Sequence, residues 1–219
     1  MGRTRIKICG ITRPEDLDAA LTAGVDAVGF VFYPPSPRFL DSGLAATLAN
    51  ATPPFVCRVG LFANAEASAV KDVLARADLG LLQFHGEEDE SYCKQFGRPY
   101  IKAARVRADL DLINYARMFP SAAGLLLDAY VDGYGGGGET FDWNLIPRVL
   151  PLPIVLSGGL DAGNVGEGVR SVRPWAVDVS SGVEQSKGVK DAAKIAAFTA
   201  AVRKADERAG TQADTHAND

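Results

Sequence analysis

Two side chains in this sequence have the types that proton-transfer chemistry requires. Cys9 closes the apolar run from Arg5 and is followed by Gly10, which admits backbone angles other residues avoid. A cysteine there is either a small buried hydrophobe or a thiolate serving as base or nucleophile. Asp128 closes Leu125-Leu126-Leu127, where an acid is either a helix cap or a functional carboxyl. Its apolar approach, and the glycine-rich loop from Gly133 to Gly138 after it, favour function. Across one cavity, a thiol and a carboxyl would supply the base and the acid of a proton shuttle.

Two further residues could bind rather than react. Arg38 follows a stiff proline loop, Tyr33-Pro34-Pro35-Ser36-Pro37, and its guanidinium suits a carboxylate or a phosphate; a solvated surface arginine is the plainer reading. His85 ends the run Leu82-Gln83-Phe84 and is either a hydrogen-bond donor to a ligand or a satisfied polar side chain. Gly158-Gly159 and Ser180-Ser181-Gly182 follow the last two apolar runs. Glycines there let a phosphate approach backbone N–H groups, and the serines could add hydroxyl donors; two ordinary tight turns are the alternative.

These positions gain meaning from the elements that would hold them. Eight short apolar runs, each followed by a helical pattern, recur along the 219 residues. The expected strands are 5–9, 27–32, 55–62, 80–84, 100–104, 124–128, 153–156 and 176–179. The expected helices include 42–51, 65–77, 88–96, 110–119, 164–172 and 191–203. The first helix is expected to open with Thr12 and Glu15 as a capping box around Pro14, and to bury Leu17, Ala20 and Leu21. Eight strand–helix units without a split into two domains predict a single (β/α)8 TIM barrel over 1–205, in preference to a doubly wound sheet. In such a barrel the strand C-termini converge on one mouth, which gathers Cys9, Arg38, His85, Asp128 and both glycine turns. Residues 206–219 are polar and aperiodic and are expected to form a disordered tail holding an inert His216.

Bulk properties exclude several classes. A net charge of −4 argues against a general nucleic-acid or acidic-membrane surface, and no apolar run reaches the roughly 20 residues of a membrane span. The N-terminus carries charged residues and no signal-peptide pattern. Three widely spaced cysteines suggest a reducing cytoplasm, with Cys57 and Cys93 as packing residues. Two histidines and no Cys-x-x-Cys leave little for a structural zinc site. Lys102 could form a Schiff base in an aldolase-like barrel, but nothing flanking it supports that. Lys7 shares a strand face with Cys9, so its charge could depress the thiol pKa.

The stretches KICGIT (Lys7 to Thr12), GFVFYPPSPR ending at Arg38, LQFHG (Leu82 to Gly86), LLLD ending at Asp128, FDW (Phe141 to Trp143), LSGGL (Leu156 to Leu160) and DVSSGVE (Asp178 to Glu184) together resemble the phosphoribosylanthranilate isomerases of tryptophan biosynthesis. The resemblance runs from the first strand to the last helix. It implies a cofactor-free, metal-free Amadori rearrangement of N-(5-phosphoribosyl)anthranilate to the 1-deoxyribulose 5-phosphate product. Cys9 would be the general base and Asp128 the general acid. Arg38 would hold the anthranilate carboxylate, with His85 also binding substrate, and Gly158, Gly159, Ser180, Ser181 and Gly182 would hold the phosphate. Gly137 stands where the family usually carries Thr or Ser. The implied partner is this small molecule, with no nucleic acid or membrane, and monomer and homodimer are equally open. The competing readings are another phosphate-binding barrel isomerase or epimerase, and a non-catalytic binder of a phosphate ligand.

Overall fold

The computed structural model describes residues 3–129 and 140–215. The loop Gly133 to Gly138, with Gly137, and His216 lie outside the described residues.

Eight parallel strands close into a barrel in chain order: β1 (Arg5–Cys9), β2 (Ala27–Val31), β3 (Cys57–Phe62), β4 (Leu81–Phe84), β5 (Tyr100–Val106), β6 (Gly124–Ala129), β7 (Ile154–Leu156) and β8 (Ala176–Val179). Helices alternate with them: α1 (Pro14–Thr22), α2 (Ser42–Ala51), α3 (Ala67–Arg76), α4 (Glu90–Lys94), α5 (Leu112–Arg117), α6 (Val165–Val172) and α7 (Ala192–Thr215). A 3-10 turn, Trp143–Leu145, precedes β7. The expected barrel is therefore the observed one. Its strands read as continuous apolar runs because both faces are covered, by helices outside and by the opposite wall inside.

Side-chain alternation sorts each strand into two layers. Ile101, Ala103, Leu126, Val155 and Ala176 form a small cluster inside the barrel, while Phe30, Phe62, Phe84, Leu156 and Phe198 belong to the larger core under the helices. Lys102, between Ile101 and Ala103, points outward. Its Nζ donates to the Gly86 carbonyl at 2.5 Å and to Glu88 at 3.0 Å, and stands over the Phe119 ring. A Schiff-base role in the mouth is thereby excluded for it.

Several expected boundaries shift. The cap of α1 is Arg13, with no side-chain hydrogen bond, so the Thr12–Glu15 capping box does not form; the Thr12 hydroxyl donates to the Gly188 carbonyl at 2.6 Å instead. The α7 helix runs to Thr215, ten residues into the segment expected to be disordered. Ala205, Glu207 and Ala209 are good helix formers. Asp206 also accepts from the Thr4 amide at 2.8 Å and the Thr4 hydroxyl at 2.7 Å, tying this segment to the start of β1. A hairpin, β9 (Glu184–Ser186) and β10 (Val189–Lys190), was not expected from the sequence.

Candidate active site

The thiol of Cys9 sits at the mouth end of β1, 5% exposed. Lys7, two residues earlier on the same face, donates from Nζ to Asp178 Oδ1 at 2.9 Å, and these two residues are direct register partners across β1 and β8. Burial disfavours the Lys7 ammonium, but Asp178 and Cys9 outweigh it and hold the group above the ordinary lysine range. For Cys9 burial dominates and pushes the thiol up; the neighbouring Lys7 charge offsets only part of that. The sequence expectation of a depressed thiol is thus half met: the cation is in place, yet the resting thiol keeps its proton. Gly29 pairs with Cys9 on β2, and a Cβ there would lie 2.9 Å from Sγ, so only glycine leaves the sulfur its room.

Asp128 stands near the end of β6, facing the mouth. Its Oδ2 lies 3.0 Å from His85 Nε2, and its Oδ1 accepts from the Ala129 amide at 3.0 Å. His85 Nδ1 in turn lies 3.0 Å from Gln83 Nε2, inside the barrel on β4. Gly158 packs against this acid: with φ at +84°, a Cβ there would meet the Ala129 nitrogen at 2.5 Å and Asp128 Oδ1 at 3.0 Å.

Arg38 is buried and forms a two-pronged ion pair with Glu184, Nε to Oε1 at 2.7 Å and Nη2 to Oε2 at 2.9 Å. Lys190 Nζ reaches the same carboxylate at 2.9 Å and also donates to the Ser180 carbonyl at 3.1 Å. Burial raises the Glu184 carboxyl, but Arg38 and Lys190 outweigh it and hold it below the usual carboxylate range. One carboxylate between two cations leaves a positive charge uncompensated, which suits an anionic ligand group. The β9–β10 hairpin supplies Glu184 and Lys190, and Gly188 at its tip presses on the Pro37 carbonyl, where a Cβ would come within 2.6 Å.

The two glycine turns meet at the ends of β7 and β8. Gly158 and Gly159 both adopt positive φ, and Asn164 Nδ2 holds the Gly159 carbonyl at 2.8 Å. Gly182 lies in a 3-10 turn, Ser181–Val183, so tightly against the Leu160 carbonyl that a Cβ would overlap it. The Ser180 hydroxyl donates to the Cys9 carbonyl at 3.0 Å and lies 3.3 Å from Lys190 Nζ. It therefore braces β1 rather than pointing out as an anion donor.

All nine residues expected at the mouth lie at or just beyond strand C-termini. Reading from the sequence did not single out the residues these side chains contact, Gln83, Asp178, Glu184 and Lys190. The spacing Gln83-x-His85, like Lys7-x-Cys9, was a usable signal, since i and i+2 share a strand face. Glu184 and Lys190 had none, because their hairpin is a polar segment.

A family model described as N-(5'phosphoribosyl)anthranilate (PRA) isomerase matches residues 6–201. An N-(5'-phosphoribosyl)anthranilate isomerase of Dechloromonas aromatica is 63% identical over 205 residues, covering 94% of this chain and 99% of the relative. Among solved structures, a phosphoribosyl anthranilate isomerase from Thermus thermophilus superposes with a TM-score of 0.84 at 35% identity, covering 92% of this chain and 99% of that one. A phosphoribosyl anthranilate isomerase in complex with reduced 1-(o-carboxyphenylamino)-1-deoxyribulose 5-phosphate superposes with a TM-score of 0.81 at 39% identity, covering 92% and 99%.

Proposed function

The chain belongs to the N-(5'-phosphoribosyl)anthranilate isomerase family, and from that premise we propose which groups of the barrel mouth carry the reaction. The enzyme rearranges N-(5'-phosphoribosyl)anthranilate to 1-(2-carboxyphenylamino)-1-deoxyribulose 5-phosphate, a step of tryptophan synthesis. Asp128 is the general acid. It passes a proton to the ribose ring oxygen as the C1–O bond breaks, the electron pair going to that oxygen, and an iminium ion is left at C1. Cys9 is the general base. Its thiolate removes the C2 proton, the C–H pair forms the C1–C2 double bond as the C1–N π pair returns to nitrogen, and the resulting enolamine tautomerises to the ketone.

Arg38, with a positive charge uncompensated in its cluster, receives the anthranilate carboxylate through the guanidinium edge not facing Glu184. His85 borders the same space through Asp128. The phosphate is held by the Gly158-Gly159 turn and by Ser181 and Gly182, whose backbones converge at the barrel's last two strand ends, a common phosphate position in this fold. Ser180 contributes by holding that turn to Cys9. The enzyme works in the cytoplasm, where reducing conditions keep the thiol free.

One observation carries this reading: a buried thiol beside a lysine and a carboxyl beside a histidine stand at the same mouth, at the ends of β1 and β6. The reactive form of the pair carries one proton, placed on Asp128, with Cys9 as the thiolate. Loss of substrate fluorescence follows turnover directly. Cys9→Ser and Asp128→Asn should each lower kcat by about 10²- to 10⁴-fold with little change in KM. Full activity in both variants would remove the assignment.

A further inference from the structure

Gln83 is fully buried inside the barrel, and its amide is used on one side only. Nε2 lies 3.0 Å from His85 Nδ1, while Oε1 is buried with no hydrogen-bond partner among the described residues. An amide oxygen sealed from water and unpaired costs about 1–3 kcal/mol, so its persistence calls for a use.

The hydrogen bonds dictate what the amide does in this state. Nε2 can only donate, so Nδ1 must present its lone pair and the single imidazole proton must sit on Nε2. That Nε2–H then donates to Asp128 Oδ2, and the Ala129 amide donates to Oδ1. Both carboxylate oxygens accept, so this arrangement suits Asp128 only without its proton. A proton on Oδ2 would face the Nε2–H donor head-on. The conflict ends if His85 carries its proton on Nδ1 and accepts from Asp128 through Nε2. Nδ1–H then needs an acceptor, and a half-turn of the Gln83 amide about Cγ–Cδ brings Oε1 to the place Nε2 held. The same half-turn satisfies an imidazolium formed when the shared proton rests on the ring.

We infer that Gln83 is a positioning residue whose two amide orientations match the two proton states of the His85–Asp128 pair: donor to Nδ1 when the acid has released its proton, acceptor from Nδ1–H when the pair is loaded. Asp128 passes its proton to the substrate's ring oxygen; the imidazole then changes tautomer, losing the Nδ1 proton to water and taking one at Nε2 from water of the cavity that His85 lines, so the ring itself neither gains nor loses a proton. The proposal rests on the reading of Asp128 as general acid. Other charged or titratable groups face the ring too. Arg105 and Arg107 of β5 and the turn after it, Glu87 of the loop after β4, and Tyr115 of α5 line a cavity of about 210 Å³ together with His85.

The test exploits the chain's two histidines, His85 and His216. Nitrogen-15 spectra of the uniformly labelled full-length enzyme give the tautomer of each ring, assigned with His85→Asn. In the free wild-type enzyme near neutral pH, His85 should carry its proton on Nε2. Gln83→Met, close in shape and unable to hydrogen-bond strongly, should lose that preference. It should also lower kcat by about ten- to a hundredfold with KM within twofold, and displace the pH profile of kcat. Gln83→Glu, an acceptor only when ionised, should lock the proton on Nδ1. A wild-type His85 protonated on Nδ1 alone would overturn the inference even if every variant failed to fold. So would a folded Gln83→Met enzyme with unchanged tautomer and pH profile. If that enzyme is unchanged while Asp128→Asn is inactive, only the role of Gln83 falls; if Asp128→Asn is active, the acid assignment falls first.

Discussion

At the level of single residues, the proposed chemistry rests on a buried cation held near a buried thiol by a buried anion. Burial pushes the Cys9 pKa up, Lys7 pulls it down against that larger push, and Asp178 adds to the push from burial. The active proton inventory of one proton per thiol–carboxyl pair persists until the raised thiol value is passed, so the alkaline limb of kcat/KM should lie above the ~8.5 of an ordinary thiol. Removing the cation in Lys7→Met should carry that limb to still higher pH, and removing the anion in Asp178→Asn should bring it down. Shifts in the same direction would show that the pair acts on fold rather than on the thiol. Each change leaves a buried charge alone, at a cost of about 3–5 kcal/mol, so the profiles belong at a temperature where both variants are folded.

Among the elements, the β9–β10 hairpin organises the charged cluster proposed to bind the substrate. It brings Glu184 and Lys190 to Arg38, and its tip at Gly188 fits against the Pro37 carbonyl with φ at +80°. Gly188→Ala should disturb that seat and raise KM several-fold with a smaller change in kcat, read from initial rates. Glu184→Gln should raise KM as well and change acid stability in a defined direction. The Glu184 carboxyl lies below its unfolded value, so its contribution is present above about pH 4.3 and disappears as the pH falls through the folded value. The variant should unfold with a shallower dependence on pH in that range. This hairpin also shows where reading a sequence stops. The β2, β4, β6 and β8 strands are short, mostly apolar runs, and their positions follow from that local pattern. Helix α2 was legible from end to end because Asp41 caps it and alanines and leucines fill it. The polar run Glu184-Gln185-Ser186-Lys187-Gly188 has no apolar period, since its strands pair with each other and pack through charge. Thr12 misled for a related reason: the hairpin carbonyl at Gly188 competes with the helix end for its hydroxyl. The thiol, the acid, the arginine and both glycine turns were visible as strand-end residues; Gln83 had only its i, i+2 spacing to His85 as a signal, and Asp178 and Lys190 became visible only through register and side-chain contact.

Across the whole molecule, the two ends of the chain are joined. β1 pairs with β8 to close the barrel, and Asp206 of α7 accepts two hydrogen bonds from the buried Thr4. Asp206→Ala should cost about 1–3 kcal/mol and lower Tm by roughly 2 to 10 °C in a calorimetric scan, with kcat unchanged, because these contacts lie at the end of the barrel away from the mouth. An unaltered Tm would mean the last helix adds nothing to closure. The same joining has a bearing on how the protein is made. The Ser180 hydroxyl that braces the Cys9 carbonyl lies 171 positions further along the chain. At about 5–20 residues per second on the ribosome, the reactive sulfur emerges some 10 to 30 s before the strand that seals it in. The nascent polypeptide, rather than the finished enzyme, is where that sulfur is most open to oxidants.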